Sequence, residues 1–475
     1  MTLPRSTPSA QGVDPVGIDR FIDAVAESGV ELHSLMLLRH GQVIAEGWWA
    51  PYSPAQVHLL YSLSKSFTST AIGLAVAEGR LSVDDTVVSF FPDAVPADPS
   101  PHLLNMRVHN LLSMGTGHQE DTTRQVFAEG GGDPVRSFFA IPPDQEPGSV
   151  FAYNSTATYM LSAILTALTG ESLTGYLRPR LFDPLGIDQA YWQSRNSVDI
   201  GFSGLHVVTE SIAKLGQLYL QRGRWGDRQL VPESWVAAAT SWQIDTVTPW
   251  RQSEPVDWRQ GYGYQFWRCQ HNAYRADGAY GQFCVVIPDS DLVLATTAAT
   301  SDMQAILTAA WTHLLPALDS TAPAATGAED ALRERLAGLR LPTVAGSRTG
   351  TETGPAKYQS AVPAAERALF PAVEVLTVTP TDEGWSLRFD DNAEIATGHE
   401  AWVEGVVTGQ GPVDVPVAGS AGWNSADTFE AEIIFLDTPH RLRITCAAGT
   451  FTQSWSSQPL HGGAFAGLAA PRPTA

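Results

Sequence analysis

Ser62 and Lys65 are the residues whose types and spacing are best suited to chemistry in this chain. They lie in the run YSLSKSF, which starts at position 61. If Ser62 opens a helix, Lys65 lies one turn further on the same face, with its amine near the serine oxygen. A serine hydroxyl needs an adjacent base to attack near neutral pH, and a desolvated lysine can be that base. The pair therefore predicts a serine nucleophile with a lysine base.

The elements around the pair support this interpretation. Residues 64–78 predict the helix that positions Lys65, and Gly79 is its expected C-cap. The N-terminus of this helix would favour negative charge that develops at Ser62. Chance S-x-x-K matches are frequent, but the chain has three lysines against 26 arginines, so a surface lysine is uncommon in it.

Two later stretches could complete the site. Tyr153 follows a Pro-Gly turn at the expected start of a helix, and a tyrosine that is hydrogen-bonded to lysine can relay a proton to a leaving group. In the run RADGAYGQ at 275–282, glycines bracket a predicted strand edge. Such an edge can supply a main-chain N–H as the second half of an oxyanion hole that begins at Ser62. Before Tyr153, the polar, glycine-rich residues 119–150 predict a loop of the kind that often walls a pocket.

Together, these stretches stand in an order and spacing that resembles the serine hydrolases related to class C β-lactamases and penicillin-binding proteins, in their esterase and amidase branch. Two further segments are similar to that family: LLSMGTG at 111–117, and GFSGL at 201–205 followed by TESIA at 209–213. The resemblance covers about residues 10–318. It implies an α/β (α+β) domain in which an antiparallel sheet flanked by helices and an all-helical region enclose the active site.

The resemblance also implies roles for individual residues. By this resemblance, Ser62 is the acylated nucleophile, Lys65 its general base and Tyr153 the proton relay to the leaving group. The oxyanion hole would consist of the N–H groups of Ser62 and Ala279. The residues implied for substrate binding are Asn154, Ser155, Gly278, Tyr280 and Gln282. The resemblance implies no metal and no other cofactor.

Two positions depart from the family's pattern. Its Y-x-N motif has a serine here, Ser155, with Asn154 shifted one place. The basic residue that opens its K-T-G or H-x-G motif is replaced by Ala276. Arg275 is adjacent, but alternation along a strand predicts that its side chain points to the opposite face. We therefore expect an esterase, amidase, D-amino-acid peptidase or acyltransferase more than a β-lactamase or a penicillin target.

Composition narrows the class of partners. The chain has 475 residues, 44% apolar content and a formal net charge of -21, which indicates a globular protein and argues against nucleic-acid binding through a basic surface. Its cysteines, Cys269, Cys284 and Cys446, are scattered, so we expect neither a disulfide framework nor a structural zinc site. No stretch approaches 18 apolar residues, and the N-terminus lacks an apolar leader. We predict a cytoplasmic protein without a membrane partner that acts on a small ester, amide or peptide.

The composition of the sequence changes after residue 318. We predict a hydrolase domain over residues 1–320 and a linker with a short helix over 321–365. Short β-rich runs between turn residues then predict a small antiparallel barrel or sandwich over 366–460. Relatives that resemble the chain include some with a lipocalin-like barrel at this place. Residues 461–475 are expected to form a tail.

Three functions remain open on the sequence. The first is a serine acyl hydrolase that attacks an ester or amide and passes through an acyl-enzyme. The second is an enzyme of the same family that transfers the acyl group, as an acyltransferase or peptide macrocyclase, or that acts as a D-amino-acid peptidase. The third is a binding protein on a hydrolase scaffold, with the barrel as its recognition surface. The presence of nucleophile, base and relay favours the enzymes.

Overall fold

The chain forms a unit of one six-stranded sheet, three smaller sheets and many helices, followed by a β-barrel. A computed structural model describes residues 2–128, 132–318, 326–350, 354–363, 373–390, 393–408, 414–460 and 465–473. Parts of the predicted linker and tail lie outside these residues, namely 321–325, 351–353, 364–365, 461–464 and 474–475.

Helices surround the sheet of the first unit. The described helices are α1 (Pro15–Glu27), α2 (Ser64–Ala77), α3 (Pro101–Asn105), α4 (Val108–Leu112), α5 (Thr123–Val126), α6 (Pro134–Phe139), α7 (Ser155–Thr169), α8 (Leu173–Leu177), α9 (Asp183–Leu185), α10 (Thr209–Leu220), α11 (Glu233–Thr240), α12 (Met303–Ala309) and α13 (Ala328–Ala337). The predicted helix at 64–78 is confirmed as α2. None of the described helices has the length and apolar content needed to span a bilayer.

Six strands form the central sheet of this unit. The described strands before residue 318 are β1 (Glu31–Arg39), β2 (Gln42–Trp48), β3 (His58–Leu59), β4 (Ala190–Trp192), β5 (Ser194–Arg195), β6 (Val198–Asp199), β7 (Leu205–Val207), β8 (Arg224–Trp225), β9 (Arg228–Gln229), β10 (Trp267–Arg268), β11 (Tyr274–Gly278), β12 (Gln282–Ile287) and β13 (Leu292–Ala299). The sheet has the antiparallel order β10-β11-β12-β13-β1-β2. It is the antiparallel sheet flanked by helices that the resemblance implied.

Both faces of this sheet are covered. Alternate residues of β1 therefore enter two different cores: Leu35 and Leu37 pack in a core with residues of α1 and α12, and Met36 and Leu38 pack in one with residues of α10. Because side chains alternate between faces along a strand, a strand buried on both faces is a continuous apolar run. The run LMLL in β1 is such a case.

The helix that carries Lys65 is buried although it is rich in serine and threonine. Its hydroxyl groups donate hydrogen bonds to carbonyl oxygens of neighbouring loops, which removes the cost of burying them. These bonds join Ser66 to Gln265 (2.7 Å), Thr68 to Gly201 (2.9 Å) and Ser69 to Tyr264 (2.7 Å). Because α2 also contacts β11 of the sheet and α7 and α8 of the helical region, it holds Lys65 at their junction.

The second unit is a closed eight-stranded barrel. Its described strands are β14 (Ala356–Ser360), β15 (Val375–Pro380), β16 (Gly384–Phe389), β17 (Glu394–Gly398), β18 (Val403–Val407), β19 (Val415–Trp423), β20 (Thr428–Phe435), β21 (Arg441–Ala447) and β22 (Thr450–Ser457). Parallel pairings of β14 with β22 and of β17 with β19 close the ring, and β18 adds to β19 from outside. The first strand, β14, lies in the stretch that we predicted to be a linker.

The barrel packs directly on the first unit. Arg441, at the start of β21, forms an ion pair with Glu31 of β1 at 2.7 Å. The Leu59 N–H donates to the Asp437 carbonyl oxygen at 2.8 Å. These contacts place the barrel against the segment that leads to Ser62.

Candidate active site

Ser62 lies in a single 3₁₀ turn, Tyr61–Leu63, immediately before α2. Its hydroxyl oxygen is 2.9 Å from the Nζ atom of Lys65. The helical path from Ser64 onward brings the lysine back over the serine, as the three-residue spacing predicts. Serine and lysine therefore meet at the N-terminal end of a buried helix.

The Lys65 amine is held by uncharged groups. Besides the serine oxygen, its Nζ atom contacts the Phe202 carbonyl oxygen at 3.1 Å and the Ser155 hydroxyl oxygen at 3.3 Å. It also lies 4.7 Å from the ring centre of Tyr153. These contacts orient the amine toward Ser62 without placing a carboxylate directly against it.

Burial changes the proton affinity of this amine. It lowers the pKa of Lys65 from its ordinary 10.5 to about 7, while the charges of Asp121 and Asp277 act in the opposite direction. Burial therefore favours the uncharged form of Lys65 near neutral pH. An uncharged amine with a pKa near the working pH is suited to act as a general base.

Tyr153 stands beside the pair as a protonated phenol. Its ring is stacked on Trp267, with 5.4 Å between the ring centres. Burial, followed by the charge of Asp277, raises the pKa of its hydroxyl far above the usual value, and a hydrogen bond with Ser62 opposes the shift. The phenol can therefore pass a proton on, but it does not stand as a tyrosinate at neutral pH.

A cavity of about 390 Å³ opens at Ser62. Carboxylates of Asp121, Glu254 and Asp277 line it together with Arg251, which lies 3.6 Å from Glu254. A second cavity of about 590 Å³ shares part of the same wall. Among the described residues, no group of three or more His, Cys, Asp or Glu side chains is placed to hold a metal ion. The apolar and aromatic wall consists of Tyr61, Tyr153, Phe202, Trp258, Trp267, Ala279, Met303 and Leu460.

Arg275 lies on the face of β11 that strand alternation predicted. It shares that face with Asp277, whereas Ala276 packs on the opposite face in the core with residues of α10. Arg275 itself does not line the cavity at Ser62. Its guanidinium is fully buried against Trp258, and its Nε atom lies 3.0 Å from the Asp277 carboxylate. The charge of Arg275 is thus committed to Asp277 and does not replace the basic group that is missing at Ala276.

The end of β11 meets the Ser62 turn at Gly278. A Cβ atom on this residue would lie 1.9 Å from the Leu60 carbonyl oxygen and 3.1 Å from the Leu63 nitrogen, so the approach requires glycine. It brings Ala279 into the wall that also contains Ser62. The residues implied for the oxyanion hole therefore border one cavity.

The residues predicted to bind substrate have different positions. Ser155 lines the cavity. Asn154 is fully buried instead, and its side chain accepts a hydrogen bond from the Thr156 N–H as the N-cap of α7. Gln282 is also buried and donates to the Ala279 carbonyl oxygen at 2.9 Å, so it supports a cavity residue. Tyr280 is not part of the cavity wall, and its ring packs against His440 and against Tyr61, which does line the cavity.

Some cavity residues could not be found from local patterns. Asp121 accepts a hydrogen bond from the Ser155 N–H at 3.1 Å, and the only signal for it is the polar stretch 119–150. Leu460 comes from the end of the barrel and has no signal of its own. Both residues reach the cavity through tertiary packing.

Comparison with known proteins gives the family. A family model described as Beta-lactamase matches residues 18–318. The 6-aminohexanoate-dimer hydrolase of Paenarthrobacter ureafaciens is 25% identical over 217 residues, which cover 43% of this chain and 55% of the relative. Penicillin-binding protein 4 of Amycolatopsis lactamdurans is 32% identical over 134 residues, which cover 27% of this chain and 34% of the relative. The chain spans about half or less of the length of these curated relatives.

Solved structures show the same fold. The octameric penicillin-binding protein homologue from Pyrococcus abyssi has a TM-score of 0.51 and 17% identity, and the match covers 94% of this chain and 98% of that one. EstCE1, described as a hydrolase with promiscuous acyltransferase activity, has a TM-score of 0.51 and 17% identity, with 62% and 98% of the two chains covered. At this identity the likeness concerns the fold alone. Because the family model spans most of the chain, including Ser62, Lys65 and Tyr153, the chain belongs to the beta-lactamase family.

Proposed function

We propose that the chain is a serine acyl hydrolase that acts on a small ester or amide through a Ser-Lys-Tyr mechanism. The observation that carries the proposal is the 2.9 Å contact between Ser62 Oγ and Lys65 Nζ on the wall of an open cavity. Because burial lowers the pKa of Lys65 to about 7, the base can be uncharged at the pH where it is needed. Membership of the beta-lactamase family supports the same chemistry.

The first half of the reaction acylates Ser62. The uncharged Lys65 amine takes the hydroxyl proton while Ser62 Oγ forms a bond to the substrate carbonyl carbon. The carbonyl π electrons move to oxygen, and the N–H groups of Ser62 and Ala279 donate to this oxyanion. When the intermediate collapses, the bond to the leaving group breaks. Tyr153 then gives its proton to the leaving oxygen or nitrogen and receives the proton that Lys65 holds.

The second half releases the acyl group to water. A water molecule attacks the acyl carbon and gives a proton to Lys65, directly or through Tyr153. The bond to Ser62 Oγ breaks, and the serine oxygen takes that proton back. The sum is one ester or amide plus water, converted to a carboxylic acid and an alcohol or amine, with the enzyme unchanged.

The charges around the cavity bear on the substrate. Asp121, Glu254 and Asp277 line it, and Arg251 is engaged with Glu254. A substrate with a carboxylate next to the scissile bond would meet these acidic groups and no basic residue at position 276. This favours esters and amides over penicillin-like carboxylates.

The neighbouring cavity favours acyl transfer as a second candidate. With a volume of about 590 Å³ and a wall shared with the first cavity, it offers room for an acceptor beside the acyl-enzyme. An alcohol or amine held there would compete with water. Adding increasing concentrations of such an acceptor and measuring the ratio of transfer product to acid separates the two functions.

The test of the main proposal is covalent labelling of Ser62. Intact-mass spectrometry after incubation with a fluorophosphonate should show one adduct, which peptide mapping places on Ser62. The protein should turn over p-nitrophenyl acetate, and it should hold no lasting adduct with benzylpenicillin. Ser62→Ala should lose the adduct and at least about 10³-fold of the esterase activity.

A matched control is Ser89→Ala, which changes an exposed serine outside the cavity. This variant should keep both the adduct and the activity. Full esterase activity in Ser62→Ala would contradict the proposal. A stable penicillin adduct would instead contradict the substrate class inferred from the acidic cavity.

A further inference from the structure

Both residues implied for the oxyanion hole are next to a tyrosine with an unusual backbone. Tyr61 precedes Ser62 and has a φ of 49°, and Tyr280 follows Ala279 and has a φ of 70°. Left-handed φ values are unfavourable for bulky residues and persist only where the surroundings impose them. A constraint at these tyrosines would fix the direction of the adjoining N–H groups.

The barrel supplies such a constraint. His440, which directly precedes β21, places its Nε2 atom 2.7 Å from the Tyr61 hydroxyl. The rings of Tyr61, Tyr280 and His440 contact one another edge to face, with ring centres 5.6 to 5.8 Å apart. The Tyr280 hydroxyl also donates to the carbonyl oxygen of Gln458 in the barrel. Two residues of the first unit and one of the barrel thus form a single aromatic cluster.

The hydrogen bonds define the tautomer of His440. Its Nδ1 atom lies 2.9 Å from the Ser457 carbonyl oxygen, which can only accept, so Nδ1 carries the hydrogen. The Nε2 atom is then the acceptor, and the Tyr61 hydroxyl donates to it. The Leu460 N–H lies 3.4 Å from the same hydroxyl oxygen. Tyr61 is therefore held by two groups of the barrel.

Tyr61 and Tyr280 lie on two segments of the chain that are already in contact. Gly278 packs against the Leu60 carbonyl oxygen, so the strand that ends near Ala279 and the turn that contains Ser62 lie against each other. A shift of either tyrosine would change the spacing between the two N–H donors. Oxyanion-hole donors must be held within about 0.5 Å of their working geometry.

On the basis of the proposed hydrolase function, we infer that His440 of the barrel is a positioning residue for the oxyanion hole. It holds Tyr61 and Tyr280, and these two residues set the N–H groups of Ser62 and Ala279. The barrel is therefore part of the catalytic apparatus of the first unit, although His440 does not touch the substrate.

Kinetics with p-nitrophenyl acetate test the inference. His440→Ala should lower kcat by about 10- to 100-fold, less than the loss of a whole oxyanion donor, while KM changes by no more than about 2-fold. His440→Gln can still accept from the Tyr61 hydroxyl and should recover most of kcat. Tyr61→Phe removes only that hydroxyl and should reproduce the loss, and the double variant with His440→Ala should lose little more.

The matched control is His399→Ala, which removes another barrel histidine, one that contacts the Gly346 carbonyl oxygen away from the cavity. This variant should keep the wild-type kcat. An equal loss of kcat in His399→Ala, or wild-type kcat in both His440→Ala and Tyr61→Phe, would overturn the inference. If His440→Ala does not fold, Tyr61→Phe and His440→Gln decide the question alone.

Amide hydrogen exchange provides a readout that does not depend on turnover. In folded His440→Ala or Tyr61→Phe protein, peptides that contain Ser62 and Ala279 should exchange faster than in wild type, and peptides of α10 should not. Unchanged exchange at both places would overturn the positioning role. If exchange responds but wild type hydrolyses no ester, the hydrolase function fails while the positioning of the two N–H groups stands.

Discussion

Lys65 occupies a place where a charged lysine is costly. Its side chain is almost fully buried, and the acceptors nearest to its amine are uncharged. The charged form therefore loses its hydration without gaining a close ion pair. Asp121 and Asp277 recover only part of this loss. Lys65 can therefore exchange a proton near neutral pH. This property suits a general base more than a residue that only forms ion pairs.

The pH dependence of acylation should report this proton. Because Lys65 must be uncharged to act, kcat/KM for a p-nitrophenyl ester should rise with pH around a midpoint near 7 and level off above it. Asp121→Asn removes a charge that raises the pKa of Lys65, so the midpoint should move to lower pH by up to about one unit. The asparagine can still accept from the Ser155 N–H through its oxygen. A midpoint that moves equally in Asp227→Asn, an exposed loop control, would contradict this assignment.

Tyr153 should matter most when the leaving group needs a proton. Tyr153→Phe keeps the ring that stacks on Trp267 and removes only the hydroxyl. Hydrolysis of an anilide should therefore fall by about 10²- to 10³-fold, whereas a p-nitrophenyl ester, whose leaving group departs as an anion, should lose much less. Rates for both substrates, compared with Tyr191→Phe outside the cavity, measure the difference. Equal losses for both substrates would rule out a role as proton donor.

At the scale of elements, the site depends on how closely β11 approaches the Ser62 turn. Gly278→Ala would place a methyl group 1.9 Å from the Leu60 carbonyl oxygen, so one of the two segments must move. We expect a stability loss of about 1–3 kcal/mol from overpacking. We also expect kcat to fall by about 10-fold or more, because the two N–H groups proposed as oxyanion donors would separate.

The control for this change is Gly405→Ala in β18. A Cβ atom there would meet no heavy atom within 4 Å, so thermal stability and kcat should both stay close to wild type. Wild-type kcat in Gly278→Ala would show that the close approach is not needed for catalysis.

Local patterns explain which elements the sequence could predict. The spacing of Ser62 and Lys65 sets a contact within one helical turn, so α2 and the 2.9 Å pair follow from adjacent residues. Alternation along β11 also predicted that Arg275 lies on the face opposite to Ala276, but the ion pair of Arg275 with Asp277 and its contact with Trp258 were not predicted. Leu460 contacts the cavity from almost 400 positions away in the chain. Contacts of that kind depend on the packed barrel, which no local pattern describes.

At the scale of the whole molecule, buried histidines mark the contact between the barrel and the first unit. The Nδ1 atom of His33 lies 3.1 Å from the Nε2 atom of His58. Glu31, which contacts the His33 ring, also forms the ion pair with Arg441. Burial lowers the pKa of both, and it lowers the pKa values of His206 and His440 to about 4. The packing between the barrel and the first unit therefore favours uncharged imidazole rings.

Acid should weaken this contact before it affects most other interactions. Between about pH 6.5 and 4 the unfolded chain binds protons on these histidines that the folded chain does not, so the free energy of unfolding falls as the pH falls. For His206 alone the effect is on the order of 1–3 kcal/mol. His206→Asn, which can still donate to the Gly204 carbonyl oxygen, should show a shallower fall of Tm from pH 7 to 4.5.

The same substitution at His399, on the barrel and away from the contact, should leave the slope of Tm against pH unchanged. A slope in His206→Asn that equals the wild-type slope would show that this histidine is already protonated in the folded protein or does not titrate in that range.

The position of Leu460 in the cavity wall has a consequence for protein synthesis. A ribosome finishes Ser62, Lys65 and Tyr153 early, but it must add the whole barrel before the wall that contains Leu460 exists. A growing chain that has folded only its first unit therefore carries the proposed nucleophile and base beside an incomplete cavity. Acyl donors would meet the complete cavity only after translation has passed the last barrel strand.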